Sequence, residues 1–247
     1  VEAEAAILDL ALGFGADAIT LKKLVRPMFL GPFSVVDYSA IEARVIAWLA
    51  GEDWALKAFY EGRDIYVETA ARMSTPGNQL NRSQGKVAVL ALGYNGGVNS
   101  LRAMGASGTD NELKALVHQW RRANRNIVSL WSDLDEAFYR GGEAGMLRVR
   151  GNDRERHLEL PSGRSIVYHG VRFRVENNGR RASFQSPQGF RTDTYGGRLS
   201  ENATQAVARD VLAAALVRLD KAGHRVVGHI HDEILVETKD LNAVQEI

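Results

Sequence analysis

The apolar pattern of this chain changes period several times along its length, and the order of those changes limits the folds open to it. Phe33-Ser-Val-Val-Asp-Tyr38 is a short β-rich run behind Gly31-Pro32 and reads as a buried strand. Ile41, Val45, Ile46 and Leu49 then recur at helical spacing up to Gly51. Further helical patterns cover about 53–60, 64–73, 80–94, 110–122 and 126–140. From there to about 195 the texture becomes that of hairpins. A Pro-Ser-Gly turn divides Leu158-Glu-Leu from Arg164-Ser-Ile-Val-Tyr168, and residues 171–175 alternate between apolar and arginine. A long helix is expected from about Leu199 to Ala222, stopped by Gly223, before a last pair of apolar runs flanking His231-Asp232. Strand, helical block, hairpins, helix, hairpin is an α+β plan, with strands from both chain ends in one sheet and helices inserted between them.

Composition narrows the class. Hydrophobic residues make up 45% and charged residues 25% of the 247, ordinary globular values that exclude a disordered or fibrous chain. With no cysteine, a disulfide scaffold, a thiolate zinc site and a Cys nucleophile are excluded, which suits a reducing compartment. Residues 1–20 lack the basic start and continuous apolar run of a signal peptide, and no apolar run reaches the roughly 18 residues of a membrane span. No internal repeat or low-complexity segment is present. The absence of an initiating Met leads to the expectation of a piece of a longer protein. Arginine outnumbers lysine 24 to 7, and residues 140–198 hold 12 arginines against 6 acidic residues. Such a stretch can fork phosphate oxygens, or can be an ordinary solvated surface.

Three groups of residues could carry chemistry. Asp37 ends an apolar strand and Asp232 sits between two apolar runs, so the two could project from adjacent strand ends and hold two divalent ions. By spacing alone, a helix cap for Asp37 and a turn position for Asp232 are the commoner roles. Ser39-Ala-Ile-Glu42 has the pattern of a capping box, which assigns Glu42 to the helix start. Arg82, Lys86, Leu90 and Tyr94 recur every four residues, on one helix face, ahead of Gly96-Gly97. Two cations one turn apart suit a polyphosphate and the aromatic suits a base, although an amphipathic helix with a solvated basic edge gives the same pattern. No acid beside them in sequence pairs with these cations. His229 and His231 lack a third ligand at zinc spacing, and Gly93-Tyr-Asn-Gly-Gly97 follows a helix instead of preceding one, unlike a P-loop.

The wording and order of these pieces resemble the family A DNA polymerases, the group that includes bacterial DNA polymerase I. Asp37-Tyr-Ser-Ala-Ile-Glu-Ala-Arg44 resembles the family's motif A. Arg82, Lys86, Leu90 and Tyr94 at four-residue intervals resemble motif B, and His231-Asp-Glu233 resembles motif C. The likeness runs from about residue 30 to the end. It includes Asp64-Ile-Tyr-Val-Glu-Thr-Ala-Ala71 and Tyr195-Gly-Gly-Arg-Leu-Ser-Glu-Asn-Ala-Thr-Gln205, the second most similar to phage-encoded members.

The resemblance implies a right-hand polymerase core: residues 1–50 as the first part of an antiparallel palm, 51–140 as helical fingers, and 141–247 as hairpins and the rest of the palm. It implies primer–template DNA and dNTPs as partners, two Mg2+ ions as cofactors, and a cytoplasmic setting in a bacterial cell, with no membrane. Asp37 and Asp232 would hold the metals, with the Tyr38 carbonyl. Arg82 and Lys86 would bind the triphosphate, Lys86 would protonate pyrophosphate, and Tyr94 would stack near the template base. Glu42 would exclude a ribose 2′-hydroxyl. Gln205, with Arg198 or Asn202, would touch the minor groove, and His231 would pack beneath the primer terminus. Leu90 stands where the family has Phe or Tyr, Tyr66 where a His often meets the β-phosphate, and Ala40 where Gln is usual. Two rivals are a related single-subunit RNA polymerase, against which Glu42 and Glu233 argue, and a non-catalytic DNA-binding remnant.

Overall fold

The computed structural model describes residue 13 and residues 32–176 and 179–238. Residues 1–12 and 241–247, part of the stretches that carried the readings on a signal peptide and on a longer protein, lie outside them. The chain divides into two compact units, residues 1–38 with 214–247, and residues 39–213.

The first unit is built on a three-stranded antiparallel sheet of β1 (Phe33–Asp37), β8 (Val226–Ile230) and β9 (Glu233–Glu237), in the order β1-β9-β8. Strands from the two ends of the chain therefore do share one sheet. The register runs from Phe33 opposite Glu237 to Asp37 opposite Glu233. Ser34 Oγ adds a bond to the Thr238 carbonyl at 3.0 Å. Ile234, Leu235 and Val236 are buried, so the central strand carries the apolar run that the sequence placed there.

The second unit opens with a helical block: α1 (Ile41–Ala50), α2 (Asp53–Tyr60), α3 (Ile65–Met73), α4 (Arg82–Leu92), α5 (Val98–Ala103), α6 (Asp110–Ala123) and α7 (Arg125–Arg140). Local chemistry sets several starts. Asp64 caps α3 by accepting from the Tyr66 and Val67 amides. Asn81 with Gln84 and Thr109 with Glu112 form complete capping boxes on α4 and α6. The expected box at Ser39–Glu42 does not form: the N-cap of α1 is Ala40, in a left-handed conformation, with no side-chain cap. The helices bury Ile46, Met73, Leu92, Leu113, Trp120 and Trp131 in one core, where the two tryptophans stack at 5.8 Å.

Six strands follow as a meander: β2 (Gly142–Ala144), β3 (Leu147–Gly151), β4 (Glu155–Glu159), β5 (Ser165–Glu176), β6 (Gly179–Gln185) and β7 (Arg191–Thr194). The hairpins expected there thus make a sheet of their own. Helix α8 (Gly196–Lys221) starts three residues before its expected first position. Leu199, Ala203 and Val207 of α8 join Leu134 and Phe138 of α7 against Val149, Leu158, Tyr168 and Ala182 of the sheet.

Two close approaches depend on glycine. A Cβ on Gly85 of α4 would lie 2.0 Å from the Tyr66 carbonyl oxygen of α3, and one on Gly196 would lie 1.7 Å from the Trp131 carbonyl oxygen of α7. Gly85→Ala and Gly196→Ala should each lose about 1–3 kcal/mol, the usual cost of overpacking, in urea unfolding followed by circular dichroism. Gly97→Ala, where nothing lies within 4 Å of the added carbon, should cost less than either.

Candidate active site

Asp37 is the last residue of β1, and Asp232 immediately precedes β9, so the β1–β9 ladder sets them side by side at one end of the sheet. Burial, the charge of Asp232 and a hydrogen bond between the two carboxyls hold Asp37 above the usual carboxylate range. Asp37 caps no helix, because α1 has Ala40 at its N-cap and no side-chain cap bond. Asp232 is a turn residue, and the turn is tight: His231 adopts φ +54° between Ile230 and Glu233, which pair across the hairpin. A non-glycine residue held in that region costs energy and persists only where its surroundings over-determine it.

Among the described residues no group of three or more His, Cys, Asp or Glu side chains is disposed to hold a metal ion. What Asp37 and Asp232 offer is a pair of adjacent carboxylates. That suits Mg2+, which typically takes one or two protein carboxylates and completes its octahedron with water and phosphate. Burial is the first cause of the raised Asp37 pKa and the charge of Asp232 the second, and a divalent cation would relieve that second, repulsive part.

In the second unit Arg82, Lys86 and Leu90 lie along the exposed side of α4, with Leu90 45% exposed. Tyr94 lies two residues past the helix end instead of on its last turn. Sequence reading found no acid beside this basic edge, yet Arg82 Nε donates to Asp64 Oδ2 at 2.6 Å, from the cap of α3. That bond holds the Asp64 carboxyl below its usual range. The Arg82 guanidinium and the Lys86 ammonium lie 5.2 and 6.0 Å from the Tyr66 ring centre. Tyr66, Arg82 and Lys86 are thus gathered, and the contact of Gly85 with Tyr66 draws the two helices close enough to do it.

Glu42 is exposed on the first turn of α1, and its Oε2 accepts from the Tyr94 hydroxyl at 2.9 Å. Burial, with the charge of Glu42 nearby, drives the Tyr94 phenol far above its ordinary pKa, so it is a donor at any working pH. This pairing replaces the capping role, and no spacing rule connects two residues 52 apart. On α8, Gln205 is exposed, while Asn202 Nδ2 donates to the Tyr168 hydroxyl and Arg198 Nη1 to the Asp193 carbonyl. Gly197 brings α8 against Tyr94, since a Cβ there would lie 2.5 Å from the Tyr94 carbonyl oxygen.

The first unit thus holds a strand-end carboxylate pair beside a hairpin turn, and the second holds a basic helix edge with an aromatic partner. The family model for DNA polymerase family A matches residues 19–247. The DNA polymerase of Bacillus phage SP02 is 39% identical over 260 residues, covering 91% of this chain and 39% of the phage protein. The thermostable DNA polymerase I of Thermus aquaticus is 27% identical over 210 residues, covering 82% of this chain and 22% of that one. A solved structure, the POL domain of Pol1 from M. smegmatis in complex with DNA primer-template and dNTP, aligns with a TM-score of 0.57 at 20% identity. It covers 87% of this chain and 35% of that one, a likeness of fold. The chain belongs to DNA polymerase family A. It spans well under half the length of each of these relatives.

Asp64 has two separable duties, the α3 cap and the tie to Arg82. Asp64→Ala should cost about 1 kcal/mol through the lost cap, and Asp64→Asn, which keeps an accepting oxygen, only a few tenths, both read from urea midpoints.

Proposed function

We propose that this chain carries the catalytic part of a template-directed DNA polymerase, which adds dNTPs to a primer 3′-hydroxyl and releases pyrophosphate. The observation that supports this most is the pairing of Asp37 with Asp232 at the β1–β9 end, in a chain of this family. On this reading residues 1–50 and 141–247 form the palm with its hairpins, residues 51–140 the fingers, and the setting is the bacterial cytoplasm.

Asp37 and Asp232, with the Tyr38 carbonyl, would hold two Mg2+ ions, which when bound lower the pKa of the primer hydroxyl and neutralise the departing pyrophosphate. The remaining work falls to side chains. The primer hydroxyl gives up its proton to solvent water, and its oxygen forms a bond to the α-phosphorus as the bond from that phosphorus to the bridging oxygen of the β-phosphate breaks. Lys86 supplies a proton to the leaving pyrophosphate. Arg82 and Lys86 bind the triphosphate, Arg82 as a fork and Lys86 as a point charge. Tyr66 backs both cations, 5.2 and 6.0 Å away, standing where a His often meets the β-phosphate in the family. Binding would require Arg82 to exchange the Asp64 carboxylate for phosphate, and an exposed ion pair of this kind is weak enough to allow it. Leu90, on the same helix side, meets the nucleotide sugar. Glu42, held at 2.9 Å by Tyr94, fills the space of a ribose 2′-hydroxyl, while Tyr94 stacks near the template base. Gln205, Arg198 and Asn202 address the minor groove, and His231 packs beneath the primer end.

Asp232→Asn should lower Mg2+-dependent primer extension by several orders of magnitude while leaving primer–template affinity within a few-fold; extension near the unmodified rate would overturn the assignment. Glu42→Ala should raise the efficiency of rNTP incorporation relative to dNTP by at least tenfold in single-nucleotide insertion assays. An unchanged ratio would remove Glu42 from sugar selection.

A further inference from the structure

The glycine-rich run Gly93-Tyr-Asn-Gly-Gly97, which is no phosphate loop, is held on both sides of Tyr94. The Gly93 carbonyl accepts from Trp131 Nε1 of α7 at 3.1 Å. Asn95 stands at φ +63°, a left-handed conformation that Asn enters more readily than most side chains and that a bond to its amide can fix. The bond comes from Arg121 of α6, whose Nη2 donates to Asn95 Oδ1 at 2.8 Å and to the Gly96 carbonyl at 3.3 Å. The guanidinium is itself placed, 5.9 Å from the centre of the Trp131 ring, which stacks on Trp120. Two glycines close the loop from its other sides. A Cβ on Gly96 would lie 1.8 Å from the Ala91 carbonyl oxygen, and one on Gly197 would lie 2.6 Å from Asn95 Cβ.

The loop matters for what Tyr94 carries at its far end. Its hydroxyl donates to Glu42 Oε2 at 2.9 Å. Glu42 is exposed, and a free Glu side chain there would spread over several rotamers. The Tyr94 bond narrows that choice, and it can do so only while the Tyr94 backbone keeps its place. Arg121 bonds the two residues that follow Tyr94 in the chain. Its donor is cationic and its acceptors are neutral amide oxygens, so these bonds are charge-assisted and stronger than the ordinary kind.

From these bonds we infer that Arg121 is a positioning residue for sugar selection: it fixes the backbone beside Tyr94 and, through the Tyr94 hydroxyl, the carboxylate of Glu42. The inference rests on the proposed role of Glu42 in excluding a ribose 2′-hydroxyl. Without Arg121 the 94–96 backbone loosens, the Tyr94 ring tilts, and Glu42 leaves the space of the 2′-hydroxyl part of the time. A ribonucleotide is then admitted more often. A general loss of stability would instead slow both sugars alike.

The test compares single-nucleotide insertion of rNTP and dNTP by the full chain, as the ratio of the two kcat/KM values. Arg121→Ala should raise the rNTP-to-dNTP ratio about three- to tenfold, and Arg121→Lys, which keeps a cationic donor, should restore most of the selectivity. Arg121→Gln, which keeps the stem and loses the charge, should give a smaller rise and serves if the alanine variant does not fold. Arg122→Ala, at an exposed position of the same helix, should leave the ratio within about twofold. In a Glu42→Ala background, adding Arg121→Ala should change the ratio by less than about twofold, because the two residues act in series. Hydrogen exchange of a peptide spanning residues 93–97 should quicken several-fold in Arg121→Ala, a readout that needs no catalysis. An unchanged ratio or unchanged exchange in Arg121→Ala, an equal rise in Arg122→Ala, or an undiminished effect in the Glu42→Ala background would each overturn the inference. A ratio that moves in Glu42→Ala and not in Arg121→Ala overturns it alone. If Glu42→Ala by itself left the ratio unchanged, the role of Glu42 would fall, and this inference with it.

Discussion

The pairing of β1 with β9 is the constraint on which the first unit depends. It joins residues as far apart as Ser34 and Thr238, 204 positions along the chain. Closing so long a loop costs only slowly more than closing a short one, because the entropy grows with the logarithm of length. What the pairing must secure is register. With Asp37 opposite Glu233, the Asp232 carboxyl falls beside Asp37. A slip of one residue would turn every side chain of β1 to the other face and separate the pair. The buried run Ile234-Leu235-Val236 makes such a slip expensive, so apolar packing fixes the position of two carboxylates that themselves repel.

In the second unit the corresponding role falls to glycine. Gly85 lets α4 meet the Tyr66 backbone, and Arg82 and Lys86 on either side of it then gather at the Tyr66 ring. Gly197 lets the start of α8 meet the Tyr94 backbone, whose hydroxyl reaches Glu42. The Asp64–Arg82 pair is exposed enough to be individually weak. The geometry of both arrangements comes from backbone contacts that leave no room for a methyl group.

Much of this was legible in the sequence, for reasons that can be named. Helices α2, α3, α4, α6 and α7 begin and end within two residues of the periodic patterns, since each has an apolar face to bury. The strand ends holding Asp37 and Asp232 followed from apolar runs interrupted by a charge. Glu42 was assigned to a capping box because Ser39 stands three residues before it, yet the chain enters α1 through Ala40, and Tyr94 takes the carboxylate. The Asp64–Arg82 tie was invisible because it joins a cap to a neighbouring helix across a loop. The bulge between His169 and Arg172 of β5 was hidden too, because residues 166–168 and 171–175 each alternate regularly and only pairing with β6 exposes the shift of phase between them.

Two aspartate settings in this chain show how environment assigns a role to a common residue. Asp64 already has its cation, and the pairing lowers its pKa, so it has no further call for a metal. Asp37 lies beside Asp232, and burial first, then the charge of that neighbour and the hydrogen bond to it, raise its pKa. On the proposed reading a divalent ion would offset both the repulsion within this pair and the cost of burying it, which Asp64 has no need of.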